Sequence, residues 1–294
     1  MLGAAAALIL GLWWPVAAPN GAHIAFTKVY DQHMALYVLD ARTHRAVRVG
    51  TSAGQLSPTW SPNGTELAYA SGGVLYVVNA DGRAKHRYLA PTKSFAPAWR
   101  PGGRQLAYLT TRGAQNTDLW VGRALWARNA IGRPAWSPDG SMLAFQRDDG
   151  VYVATGPGAE RRVAPIANPG QPVWSPNGKW IAYTAGRELL VVAADGAAPP
   201  RRLASNLRNP GTPGWSPNSL EVAVSRAGGV WVAGLEGSGH PVDQRARVFG
   251  VGTSWDGDDL LISASAARCS LRTTIVLVRA NGTASALTGS CGSA

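Results

Sequence analysis

The stretch Trp174-Ser-Pro-Asn-Gly-Lys-Trp-Ile-Ala-Tyr183 returns along the chain at near-regular spacing. Trp60-Ser-Pro-Asn-Gly-Thr-Glu-Leu-Ala-Tyr69, Trp99-Arg-Pro-Gly-Gly-Arg-Gln-Leu-Ala-Tyr108 and Trp136-Ser-Pro-Asp-Gly-Ser-Met-Leu-Ala-Phe145 are full copies. Trp215-Ser-Pro-Asn-Ser-Leu-Glu-Val-Ala-Val224 and Trp255-Asp-Gly-Asp-Asp-Leu-Leu-Ile262 are worn ones. Successive tryptophans are 39, 37, 38, 41 and 40 residues apart. A period near ~40 built from short strands is the mark of a β-propeller.

The chemistry of the motif explains why it forms one blade. The tryptophan closes a strand, and Ser-Pro leaves it, since proline cannot donate to a ladder. Asn-Gly or Asp-Gly then makes a tight turn that needs positive φ. In Leu67-Ala-Tyr69 the period of two sends Leu67 and Tyr69 one way and Ala68 the other. A small residue on one face suits closely packed sheets. A third, apolar run follows in each unit, as in Val74–Val78 and Leu189–Val192. Such runs indicate strands buried on both faces. A second turn, for example Asn79-Ala-Asp-Gly82, leads to a fourth, more polar strand.

Seven units result, at about 14–50, 51–90, 91–132, 133–165, 166–204, 205–248 and 249–288, with six blades as the runner-up. The fold expected is an all-β propeller over residues 19–288, with 289–294 as a C-terminal tail and no swapped closing strand. Composition agrees. The 294 residues are 46% hydrophobic and 15% charged, with 35 Gly and 20 Pro, which fits a turn-rich all-β chain and excludes disorder.

Residues 1–18 carry no charge and resemble a signal-peptide core or a short membrane anchor. Pro19-Asn-Gly-Ala-His-Ile-Ala-Phe26, however, is itself a copy of the motif, with Ala17 standing where the tryptophan belongs. The same residues therefore read equally as the inner strand of the first blade. Cys269 and Cys291, the two cysteines, both fall in the last unit and its tail. In an exported protein they would form a disulfide, worth roughly 3 kcal/mol for a loop of about 20 residues.

The repeat Trp-Ser-Pro-Asn/Asp-Gly-x-x-Leu/Ile-Ala-Tyr/Phe resembles the WD40-like PD40 repeat of TolB-type envelope propellers, also found in the propeller domains of prolyl-oligopeptidase-like peptidases. The resemblance spans essentially residues 19–288. It implies a periplasmic, extracellular or membrane-anchored propeller that binds an envelope protein. The separate α/β domain of TolB and the hydrolase domain of the peptidases are not in this sequence, which turns the expectation toward a monomeric binding scaffold.

Few residues carry chemistry. Gly50-Thr-Ser-Ala-Gly54 matches a nucleophile pattern, but no helix follows it, as an elbow requires. His23, His33, His44, His86 and His240 show no zinc spacing, so neither metal nor cofactor is expected. Asp256-Gly-Asp-Asp259 reads as a turn. The loops between second and third strands should form a binding face for a protein partner or polar ligand. They offer Tyr30, Asp31, His33, Asn116, Asp118, Asp148, Asp149, Arg187, Glu188, Arg226 and Arg268. The alternative is a propeller hydrolase or lyase at the central channel, which would gather His33, Asp118, Asp148 and Glu188 within metal-ligand distance.

The net charge of +11 rests on 24 arginines and 4 lysines. Arginines recur near the fourth strands at 45, 48, 83, 87, 161, 162, 201, 202, 245 and 247. They read first as protection of exposed sheet edges. The sharper alternative is attraction to an anionic lipid or cell-wall surface. Nucleic acid is not an expected partner of an exported protein.

Overall fold

The computed structural model describes residues 12–30, 33–52, 57–91, 93–113, 116–207, 211–226, 229–242, 253–256, 259–265, 273–278 and 284–286. The described chain forms seven four-stranded antiparallel sheets, each drawn from one contiguous stretch. We call them blades 1 to 7, with strands named inner, second, third and outer. Their inner strands are Leu12–Ala17, Thr59–Trp60, Ser94–Trp99, Ile131–Trp136, Val173–Trp174, Gly214–Trp215 and Thr253–Asp256. The inner strand of blade 1 lies against the first three strands of blade 7, so the ring closes by packing and not by a borrowed strand. No helix among the described residues is long and apolar enough to cross a membrane.

The period of two in the second strand is what welds blade to blade. Leu67 and Tyr69 pack in one cluster with Leu36, Val38 and Val49 of blade 1. Ala68 and Ala70, on the other face, pack with Leu106 and Tyr108 of blade 3. The motif alanines Ala25, Ala68, Ala107, Ala144, Ala182 and Ala223 are all 0% exposed, so any larger side chain there would push two sheets apart. Each large aromatic thus meets a small residue across the wedge, which fills the gap between twisted sheets without a void.

The tryptophans do more than fill space. Trp60 Nε1 donates to Val16 O at 2.9 Å, Trp136 Nε1 to Ala98 O at 3.2 Å, Trp174 Nε1 to Ala135 O at 2.9 Å and Trp215 Nε1 to Val173 O at 3.0 Å. In every case the acceptor is the residue just before the motif position of the preceding blade. The indole therefore latches each inner strand to its neighbour. That Trp60 takes Val16 confirms Ala17 as the worn motif position of blade 1, with Leu12–Ala17 as its inner strand. One latch is open: Trp99 Nε1 is buried and has no partner among the described residues.

The Ser-Pro-Asn-Gly turn is closed by its own side chains. Ser61, Ser137, Ser175 and Ser216 donate their hydroxyls to Asn63, Asp139, Asn177 and Asn218 at 2.5–2.7 Å. The same hydroxyls accept the N–H of Glu66, Met142, Trp180 and Glu221. Gly64, Gly140 and Gly178 then take φ near +70°. Ser219 stands in that place in blade 6 at φ 63°, where its hydroxyl accepts Asn177 N–H from blade 5. In blade 3 Arg100 replaces the serine. It reaches forward to Gly140 O at 2.9 Å and lies over the Trp136 ring.

Candidate functional site

The turn motifs lie at one end of the ring, so the loops between second and third strands and the connections between blades lie at the other. The sequence-predicted site belongs to this loop face. Several of its charged groups are tied down by partners in their own blade, a neighbouring strand or an adjoining connection. Arg147 Nη2 donates to both carboxylate oxygens of Glu160 at 2.7 and 2.8 Å and to Arg128 O, with its guanidinium over Phe145 and Tyr152. Asp149 accepts Tyr152 OH at 2.9 Å and Arg162 Nη1 at 3.0 Å. The tyrosine hydroxyl, followed by the positive charge of Arg162, holds its carboxyl below the ordinary aspartate range. Arg202 pairs with Glu188 at 2.8 Å, and Arg187 Nε donates to Leu207 O at 3.0 Å, pinning the next connection.

Asn116 and Asp118 differ from the loop placement expected of them: both lie within the third strand of blade 3, Asn116–Val121. Asp118 is only 5% exposed, with Arg112 Nε at 3.0 Å and Arg128 Nη1 at 3.6 Å. It pairs across the sheet with Thr110 on one side and Arg128 on the other, so its carboxylate neutralises a strand-borne cation and leaves the rim. His33 and Asp148 are exposed, and Asp148 O accepts Asn168 N–H from the connection to blade 5. Tyr30 and Arg226 end their second strands, and nothing is described of their side chains. Asp31, Arg268, Cys269 and Cys291 lie outside the described residues. Among the described residues, no three His, Cys, Asp or Glu side chains gather as metal ligands.

Two other features of the sequence resolve locally. Gly50 lies in the outer strand of blade 1, Ala46–Ser52, where a Cβ would stand 2.7 Å from the Tyr69 ring. Its glycine answers a close approach and not a nucleophile elbow. Two exposed outer-strand arginines make contacts within the protein: Arg161 donates to Ala194 O of the next blade, and Arg201 lies over Trp180.

One residue of the ring escaped the sequence reading. Arg133, on the inner strand of blade 4, donates Nη2 to Pro58 O at 2.7 Å. Pro58 precedes the inner strand of blade 2, and blade 3 lies between, so the arginine reaches two blades along the ring. The side chain is only partly buried, and that desolvation draws its pKa down to about 10. The available signal was the tripeptide before the tryptophan: Ser57-Pro-Thr, Ala96-Pro-Ala, Arg133-Pro-Ala, Gln171-Pro-Val and Thr212-Pro-Gly. Only one copy puts a charge there.

Comparison with known proteins agrees with this architecture. The profile of the TolB beta propeller domain, PD40, matches residues 55–231, more than half of the chain. No curated protein matches the sequence. TolB from Acinetobacter baumannii is 16% identical with a TM-score of 0.54, over 87% of this chain and 60% of that one. A puromycin-hydrolysing peptidase of Mycobacterium tuberculosis is 14% identical with a TM-score of 0.71, over 94% of this chain and 53% of that one. An oligogalacturonate lyase solved in complex with manganese is 16% identical with a TM-score of 0.65, over 89% and 86%. At these identities the likeness shows the propeller alone. The match across the repeats places the chain in the TolB beta-propeller (PD40) family.

Proposed function

We propose that this propeller is an exported binding scaffold of the cell envelope, recognising a protein partner or polar ligand at its loop face. The observation that carries the reading is the way that face is held. Arg147, Asp149, Arg187 and Glu188 are each fixed by a partner in their own blade or its adjoining connection. A rigid surface of both signs loses little entropy on binding and discriminates by charge complementarity. Export rests on the apolar N-terminal stretch and on the TolB-type repeat. The enzyme alternative has no comparable support, because His33, Asp118, Asp148 and Glu188 do not form a common ligand set.

The test is a capture from envelope extract with three forms of the protein. One is native, one carries Asn116→Lys and Asp148→Lys on the loop face, and one carries Arg83→Glu and Lys179→Glu at the turn end. A partner kept by the turn-end form and lost by the loop-face form supports the reading. The reverse pattern overturns it, and stoichiometric calcium or zinc in the purified protein would move the assignment to the enzyme.

A further inference from the structure

The position three residues before each motif tryptophan forms a ring of its own. Ser57, Ala96, Arg133, Gln171 and Thr212 occupy it in blades 2 to 6. The inner strand is the free edge of each sheet, which is why the proline that follows is tolerated there. In blades 1, 3 and 4 the ladder is irregular at this point, with breaks between Trp13 and Val16, around Ala96 and between Ile131 and Ala135. A bulge aims a side chain away from the sheet. Two observations show that the aim is inward. Thr212 Oγ1 meets Gln171 Oε1 at 3.3 Å, so neighbours on this ring touch side chain to side chain. Arg133 reaches Pro58 O two blades away.

The polar groups so gathered are donors. A guanidinium has five N–H groups, and Arg133 uses one nitrogen, Nη2, among the described residues. The amide Nε2 of Gln171 has no partner among the described residues, since its oxygen takes the Thr212 contact. Among the described residues no acid faces the arginine: the inner strands of blades 1 to 6 contain neither Asp nor Glu. Asp118, Glu160, Asp149 and Glu188 are paired to other arginines. A cation drawn out of water without a counter-charge is costly unless something completes it. Its partial desolvation, with no acidic neighbour among the described residues, lowers its pKa to about 10, so it is charged at neutral pH.

We propose that the central channel holds an oxyanion, a carboxylate or a phosphate, bound by the fork of Arg133 with the Gln171 amide beside it. Guanidinium matches either group with two parallel hydrogen bonds. The site is distinct from the loop-face reading and does not depend on it, because the probes are small ions and the readout is the protein alone.

The experiment is thermal unfolding of the full chain at constant ionic strength, titrated with inorganic phosphate, N-acetylglycine or N-acetylglycinamide. At saturation phosphate or N-acetylglycine should raise the Tm by about 5 °C. The uncharged amide should do nothing. A response to phosphate alone marks a phosphate site, a response to N-acetylglycine alone a peptide carboxylate site, and a response to both a general oxyanion site. In Arg133→Gln the rise should vanish while the near-ultraviolet spectrum stays native. Arg133→Lys, which keeps the charge and loses the fork, should weaken binding roughly tenfold and serves if the first variant does not fold. A native protein with no saturable response overturns the proposal. So does a response shared by the amide, or affinity unchanged in both variants.

Discussion

The indole latches allow one hydrogen bond to be weighed inside a single molecule. Consider Trp174→Phe. The phenyl ring still fills the wedge between blades 4 and 5, against Ala144, Val151 and Val153. It presents about 40 Å² less surface, worth about 1 kcal/mol. It also lacks the N–H that meets Ala135 O at 2.9 Å. The lost bond adds about 1 kcal/mol, more if water cannot reach the carbonyl. The sum is about 2 kcal/mol, or roughly 4–8 °C in Tm for a domain of this size. Trp60→Phe, Trp136→Phe and Trp215→Phe break equivalent bonds and should cost the same.

Trp99→Phe is the internal control, because Trp99 Nε1 has no partner to lose. It should cost about 1 kcal/mol or less, since removing an unsatisfied buried N–H also removes its desolvation penalty. Urea unfolding of the five variants would give the comparison, with m-values checked for constancy. A Trp99→Phe cost equal to the other four would refute the latch as an energetic device and leave the tryptophans as filler. Costs that scale with side-chain burial instead of with the hydrogen bond would do the same.

Other consequences follow from single groups. Tyr183 OH is buried without a partner, and burial pushes its pKa well above the ordinary phenol range, whereas Phe145 fills the same position in blade 4. Tyr183→Phe should therefore be neutral or stabilising by about 1 kcal/mol, while Tyr108→Phe, which breaks a 2.6 Å bond to Gly122 O, should destabilise by a similar amount; calorimetry of the pair decides. Asp139 is held at about 2, first by the Ser137 hydroxyl and then by Ser141. A carboxyl depressed in the folded state stabilises above its unfolded pKa, near 3.8, and loses that contribution as pH falls toward 2. Asp139→Asn, which copies Asn63 and Asn177 of sister turns, should keep the fold and flatten the stability curve between pH 4 and 2. A chain beginning at Pro19 lacks the inner strand of blade 1 and the Val16 carbonyl that Trp60 requires, so circular dichroism should show it unfolded or melting far below the chain that keeps residues 12–17.

The repeat was legible because its physics is local and repeated. Proline, Asn-Gly and the alternation of Leu, Ala and Tyr each declare a turn or a face within ten residues, and agreement among copies averages out the exceptions. The unit read at about 51–90 encloses the sheet of 59–87, and the unit read at 133–165 falls within two residues of the sheet of 131–165. The latches were not legible. A tryptophan at a strand end reads as core, and nothing in sequence says that its N–H finds a carbonyl about forty residues earlier. Nor could periodicity decide between export signal and strand for Leu12–Ala17, since a short apolar run suits both. Asp118 was misplaced for a related reason: an acid near a turn reads as rim, and only the strand register reveals the arginines on either side of it.

The departures from the repeat carry information of another kind. A residue that matches its sister copies answers to the blade. One that does not must answer to something particular to its place in the ring. Arg100 departs from serine, and its reason is visible: it gives up the side-chain closure of the turn for a bond to Gly140 and a stack on Trp136. Ser219 departs from glycine and accepts strain at φ 63° in return for a bond to Asn177. Arg133 departs from neutral residues, yet a single bond to Pro58 O does not offset the partial desolvation of a full charge, and a neutral donor could have made it. Of these departures it is the one whose cost is left uncompensated within the described protein. Uncompensated cost of this kind concentrates where a protein meets a ligand.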